Sequence, residues 1–224
     1  MPEQLSFDLP VRTALGRGDF FISPANAAAV AMIEGWGGWP GRKLLLIGPP
    51  GAGKTHLAHV WAGLSGAAII DASALTRCDI PTLARHHVAV ENAAHVAGDA
   101  HAEEALFHLH NLVLAEGHSL LLTAEREAGL WRIHLPDLTS RMQGTPAVTL
   151  SEPDDTLLGA VLMKLMADRQ ITPAPSLIPY LVSRMDRSFE GARDIVSKLD
   201  KAALSQGAPI SRTLARRLLD SRQG

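Results

Sequence analysis

The chain has 224 residues, 46% of them hydrophobic, with 21 basic against 23 acidic side chains. That is enough apolar material for one large domain or two small ones, and too nearly neutral a balance to steer the whole molecule to nucleic acid or an anionic membrane. The single cysteine, Cys78, excludes an internal disulfide; no charged-then-apolar signal segment opens the chain and no apolar run approaches the roughly 20 residues of a spanning helix, so a cytoplasmic protein with no membrane contact is expected.

An arm comes first, residues 1–14, opening "MPEQLSFDLP". It carries Leu5, Phe7 and Leu9 beside Gln4 and Ser6, ahead of any sign of a fold. Those side chains either fold back on their own domain or insert into another protein's groove, with Gln4 satisfying polar groups at one end. "SPANAAAVAMIEGW" then predicts a helix with Ser23 as N-cap and Pro24 in its first turn. "KLLLIG", "AAIIDAS", "HHVAVEN", "SLLLTAE" and "PAVTL" are short apolar runs separated by helix-like segments such as "AEEALFHLHNLVLAEG". Strands alternating with helices predict a mostly parallel sheet covered on both faces, over residues 15–152. From "SEPDD" the pattern changes to four amphipathic segments broken at proline and glycine, which predicts an all-α subdomain over 153–224 with Met163, Met166 and Met185 in its core.

"GPPGAGKT" is the strongest chemical signal. Gly48, Gly53, Lys54 and Thr55 fit the phosphate-binding loop pattern, with an apolar strand before and a helix after. The backbone of Gly48, Pro49, Pro50, Gly51, Ala52 and Gly53 would turn its N–H groups onto phosphate oxygens at the helix N-terminus, where His56 follows. Lys54 would reach the β- and γ-phosphates and Thr55 would ligate Mg²⁺. A second strand normally ends in two acids in such ATPases; here "HHVAVEN" supplies Glu91 for the metal and Asn92 beside it. A carboxamide has no lone pair basic enough to deprotonate water, so Asn92 orients a nucleophile at best and weak intrinsic turnover is expected.

With loop, acidic strand and helical tail in this order, the chain resembles the AAA+ ATPases of the bacterial initiator DnaA group. The segments that carry the likeness are "DFFISPANAAAVAMIEGW", "GPPGAGKTHLAHVWA", "AVENAAHVAGDAHAEEALFHLHNLVLAEG", "LLLTAE", "LPDLTSRM" and "ARDIVSKLDKAAL". The resemblance implies an α/β AAA+ P-loop NTPase domain followed by a small helical lid, holding ADP or ATP with Mg²⁺. It also implies that Phe21, Ile22 and Asn26 lie near the base and that Thr123 is a polar sensor. Arg141 matches the arginine finger offered to a neighbouring subunit, and Arg193 matches the lid arginine that leans on the phosphates in cis; a planar, permanently charged guanidinium suits both roles.

Two departures refine the resemblance. DnaA proper continues into a helix-turn-helix domain, whereas this sequence ends after the lid; Arg212, Arg216, Arg217 and Arg222 read as complements to a helix C-terminus, so direct DNA binding is not expected. Asparagine in place of the second acid is a feature of the shorter, Hda-type members of the group. "QLSFDL" resembles the peptides through which replication proteins attach to the sliding β-clamp of DNA polymerase III. The resemblance therefore implies clamp and DnaA as partners, and a negative regulator of replication initiation that supplies Arg141 to DnaA-bound ATP. An ATPase acting through its own hydrolysis and a non-catalytic clamp adaptor remain as alternatives, and Arg141 could serve head-to-tail contact with a second copy. Ten histidines lack a zinc-binding frame and are read as surface or satisfied polar groups, and Trp36 and Trp39 as turn packing.

Overall fold

The computed structural model describes residues 21–206 and 210–220. The arm residues Gln4, Leu5, Ser6, Phe7 and Leu9, and Arg222, lie outside that range. The chain divides into two compact units, Asn26–Glu152 and a second that includes Pro153 onward together with residues 21–25.

In the first unit, α1 (Ala27–Glu34) precedes β1 (Lys43–Ile47), and α2 (Lys54–Ser65) follows the phosphate-binding loop. Then come β2 (Ala68–Asp71), the single turn α3 (Ile80–Leu83), β3 (Val88–Glu91), α4 (Ala100–Ala115), β4 (Leu120–Ala124), α5 (Pro136–Gln143) and β5 (Ala147–Thr149). Each of the five apolar runs forms a strand. All pair in parallel, in the order β2-β3-β4-β1-β5. β3, β4 and most of β1 are buried, as unbroken apolar strands covered on both faces must be. The main core joins Leu45, Val88, Val90, Leu120 and Leu122 of the sheet to Leu106, Leu109 and Val113 of α4 and Leu138 and Met142 of α5.

The first helix starts later than its sequence predicts. Asn26 is its N-cap, because the hydroxyl of Ser23 accepts from the Ala25 N–H at 3.2 Å and residues 24–26 form a turn instead of a first helical turn. Trp36 and Trp39 pack as turn residues: Trp39 stacks on the buried Trp61 with centroids 5.2 Å apart and donates its Nε1–H to the Met32 carbonyl. Trp36 meets the edges of Trp61 and His87.

The second unit holds α6 (Asp155–Ala167), α7 (Leu177–Val182), α8 (Phe189–Gln206) and α9 (Arg212–Asp220), around a core of Leu158, Leu162, Leu181, Ile195, Val196 and Leu199. Asp154 caps α6 by accepting from the Leu157 N–H at 2.8 Å. Met166 and Met185 lie in this core, but Met163 does not: it is 49% exposed, because its position in α6 falls off the face that meets α7 and α8. Arg212 is exposed but opens α9 at its N-terminal end, where it stands over the Tyr180 ring at 4.7 Å and cannot complement the helix C-terminus as its sequence suggests; Arg217 lies in the last turn instead. No described helix is long and apolar enough to cross a membrane.

Candidate functional site

Parallel sheets present their ligand sites at the carboxyl ends of the strands. Here β1 ends in the glycine loop, β3 in Glu91 and Asn92, β4 in Thr123 and Ala124, and β2 in Asp71. Gly51 (φ 74°) and Gly53 (φ 100°) take left-handed conformations that let the loop fold over the start of α2. Gly48 is fixed by contact instead: a Cβ there would stand 2.7 Å from the Leu150 carbonyl oxygen. Lys54 is only 9% exposed and its Nζ donates to the carbonyls of Gly48 at 2.6 Å and Pro49 at 2.9 Å. Burial pushes its ammonium below the ordinary lysine range, and the carboxylates of Glu125 and Glu91 work against that shift. Pro50, Thr55 and His56 are exposed at the loop and first turn, and Ala52 is buried beneath them.

The strand ends beside the loop are linked by hydrogen bonds. Asn92 adopts a left-handed conformation (φ 54°), which asparagine tolerates better than most side chains. Its backbone N–H donates to Thr123 Oγ1 at 3.0 Å, and its Nδ2 donates to Asp71 Oδ2 at 2.7 Å. β2 lies on the far side of β3 from β1, so the carboxamide is tied away from the phosphate loop. Asp71 is held below the ordinary carboxylate range, chiefly by the Ser73 hydroxyl and also by Asn92, against the opposing effect of burial. Thr123 is buried and accepts from Asn92, which leaves its own O–H free to donate. Glu91 carries a buried Oε1 with no hydrogen-bond partner. A carboxylate oxygen withdrawn from water without a donor suits a cation or a cation-bound water, so the residues present fit Mg²⁺ held by Thr55 and Glu91.

Sequence reasoning missed Asp71 and Glu125. Both directly end or follow an apolar strand, and that position in a parallel sheet was the available signal. Glu125 is exposed next to Ala124, whose carbonyl accepts from the Gly48 N–H at 3.2 Å.

At the opposite edge of the sheet lies Arg141. It sits in the last turn of α5 and is exposed. Lys43, at the start of β1, donates to its backbone carbonyl at 3.0 Å, which anchors the end of α5 to the amino-terminal edge of the sheet. The glycine loop begins at the other end of the five-residue β1, about 15 Å away at roughly 3.3 Å per residue. The start of α5 is held from α4: buried Glu103 accepts from the backbone N–H groups of Gly98, His134 and Leu135 at 2.9 to 3.1 Å. Burial pushes the Glu103 carboxyl up, and these backbone donors outweigh it, leaving the group below its ordinary range. Arg193 is exposed in the second turn of α8. Gly191, two residues earlier, has no room for a side chain, since a Cβ would lie 2.6 Å from the Asp186 carbonyl oxygen. Phe21 and Ile22 are half-buried, and Asn26 is buried at the start of α1. The structure thus gathers Gly48 to His56 with Glu91, Asn92 and Thr123 at one edge and sets Arg141 at the other.

No protein-family model matches the chain. A chromosomal replication initiator protein DnaA from Cutibacterium acnes is 26% identical over 194 residues, a match that takes in 75% of this chain and 38% of that protein. This chain therefore spans well under half of that relative's length. Domain III of the Thermotoga maritima replication initiation protein DnaA superposes with a TM-score of 0.75 at 17% identity, covering 91% of this chain and 94% of the other. AMPPCP-bound DnaA from Aquifex aeolicus gives 0.72 at 15% identity over 91% and 68%. The Thermotoga maritima RuvB Holliday junction branch migration motor gives 0.67 at 17% over 88% and 66%. The fold is that of an AAA+ P-loop NTPase, as in DnaA domain III and RuvB, and over three quarters of its length the sequence is similar to that of a DnaA protein.

Proposed function

We propose that this chain is an Hda-type negative regulator of replication initiation: a cytoplasmic AAA+ protein that holds ADP or ATP at its own glycine loop and lends Arg141 to ATP bound by DnaA. The observation that carries the reading is the placement of Arg141, exposed at the edge of the sheet remote from its own loop. A guanidinium there has no access to its own phosphates and is available to a neighbour's. Asn92 supports the other half of the reading, since its carboxamide neither accepts a proton from water nor points toward the loop.

In this reading the N–H groups from Gly48 to Gly53 and the ammonium of Lys54 cradle the polyphosphate, and Phe21, Ile22 and Asn26 serve the base. Thr55 and Glu91 would hold Mg²⁺, which would supply neutralising charge to the polyphosphate. Thr123 holds Asn92 and donates toward the terminal phosphate, while Arg193 contributes from a lid formed by residues 153–224. The arm, residues 1–14, docks Gln4, Leu5, Ser6, Phe7 and Leu9 on the sliding clamp; a few apolar side chains at about 1.5 to 3 kcal/mol each, less the cost of ordering the arm, suit a tether. An arginine supplied in trans is worth about 10³- to 10⁵-fold in phosphoryl transfer, so a weak hydrolase is an effective activator.

One observation favours a second reading. The exposed carboxylate of Glu125, beside the loop and acting on Lys54, gives the site an acid that could support DnaA-like hydrolysis of its own nucleotide. The two separate in one experiment: ATP turnover of the isolated protein is compared with loss of DnaA-bound ATP when DnaA, clamp loaded on DNA and this protein are combined. Slow turnover alone with rapid loss in the mixture supports the regulator; rapid turnover alone with no effect on DnaA supports the second reading.

A further inference from the structure

We infer that Lys43 is a positioning residue for Arg141, holding the end of α5 so that the guanidinium is left free for a neighbouring subunit; this rests on the trans role proposed for Arg141. An arginine in the last turn of a helix can fold back onto the helix's own terminal carbonyls, where the dipole favours it. In α5 three of those acceptors are already engaged, and one of them twice. Ser140 O accepts from the Gly144 N–H at 3.0 Å, and Met142 O accepts from the Thr145 N–H at 3.0 Å. Between them, Arg141 O accepts twice, from Lys43 Nζ at 3.0 Å and from Thr145 Oγ1 at 2.9 Å.

Lys43 is itself held. Its Nζ stands 3.3 Å from Nε2 of His110, which is buried in α4, and His110 Nδ1 lies 3.2 Å from Asn111 Oδ1. An ammonium can only donate, so Nε2 is the acceptor and Nδ1 carries the proton to Asn111. The direction of each bond is therefore fixed: Lys43 of β1 donates on one side to His110 of α4, which donates on to Asn111, and on the other to the Arg141 carbonyl at the end of α5. No carboxylate within 4.0 Å pairs with Lys43 or Arg141 among the described residues. A lysine set beside an arginine without an acid is poor design for stability, and burial followed by the Arg141 charge presses the Lys43 ammonium below its ordinary range. It is good design for keeping a guanidinium extended: the nearby cation repels it, and the carbonyls that would draw it back already accept other donors.

The test uses full-length protein with ATP-loaded DnaA and clamp on DNA, comparing wild type, Lys43→Met, Lys43→Arg and Arg141→Ala, with rates expressed per folded molecule from each variant's unfolding curve. Lys43→Met is expected to lower the maximal rate of DnaA-bound ATP hydrolysis about 10-fold, since misplacement by about 1 Å can cost up to about 10²-fold. The concentration for half-maximal effect and the nucleotide affinity of its own loop should stay within about twofold of wild type. Lys43→Arg, which keeps a donor and the charge, should recover most of the rate. A wild-type maximal rate per folded molecule in Lys43→Met overturns the inference. Full stimulation by Arg141→Ala instead overturns the trans role itself, whatever Lys43 does.

Discussion

In the proposed reading Asn92 stands in for a second carboxylate, and its environment explains why placing an acid there should not create a hydrolase. Its Nδ2 donates to Asp71, so Asn92→Asp would face one carboxylate with another at the distance of a hydrogen bond. A bond to a charged acceptor is lost, worth about 1.5 to 3 kcal/mol, and like-charge repulsion is added. Asn92→Asp is predicted to lower the melting temperature without raising ATP turnover, and Asp71→Asn combined with Asn92→Asp to regain stability by restoring one donor and one acceptor. Thermal unfolding of the wild type and these two variants checks this; Asn92→Asp alone being as stable as wild type would contradict it. At the loop, Lys54→Ala should abolish nucleotide binding measured by calorimetry while the α/β unit stays folded, because the ammonium bonds only to loop carbonyls. The glycine loop and the identity of Asn92 were legible in the sequence, since each is a local pattern. Asp71 as the partner of Asn92 was not, because the pairing depends on β2 lying beside β3, which no local pattern encodes.

Among the elements, α5 owes its place to α4 at both ends, through Glu103 at its start and through His110 and Lys43 at its finish. Glu103 and His110 are seven residues apart, two turns of helix, and so share a face. Glu103→Ala would leave three backbone N–H groups without their charged acceptor and is predicted to cost at least about 3 kcal/mol, read from denaturant unfolding. His110 and His87 add a pH dependence. Burial lowers the pKa of both, assisted at His110 by Lys43 and Arg141, against a bond to Asn111, and at His87 by His118. Their folded values lie below the ordinary 6.5, so beneath that pH the unfolded chain binds more protons and stability falls. The α/β unit should therefore lose stability progressively below pH about 6.5, and His110→Gln should flatten that slope; an unchanged slope would contradict the burial of a neutral imidazole. The five strands and the helices between them were legible as apolar runs and helical spacing. The anchoring of α5 was not, because it is made by residues 31 to 98 positions apart.

The whole molecule combines a sheet unit whose strand ends form the loop site with a helical unit whose core is separate. The change from alternating apolar runs to amphipathic segments after "SEPDD" made that succession readable in the sequence. The likeness to DnaA domain III fixes the fold, and two features carry the proposal of what the molecule does with it: a glycine loop beside a strand that ends in one acid and one carboxamide, and an exposed arginine at the opposite ends of the strands. The measurement that bears most directly on their connection is the rate at which DnaA-bound ATP is lost in the presence of clamp on DNA, with wild-type protein and with Arg141→Ala. The account predicts rapid loss with the wild type and loss no faster than DnaA alone with the variant, although the variant still folds and binds nucleotide. Equal stimulation by both proteins would contradict it.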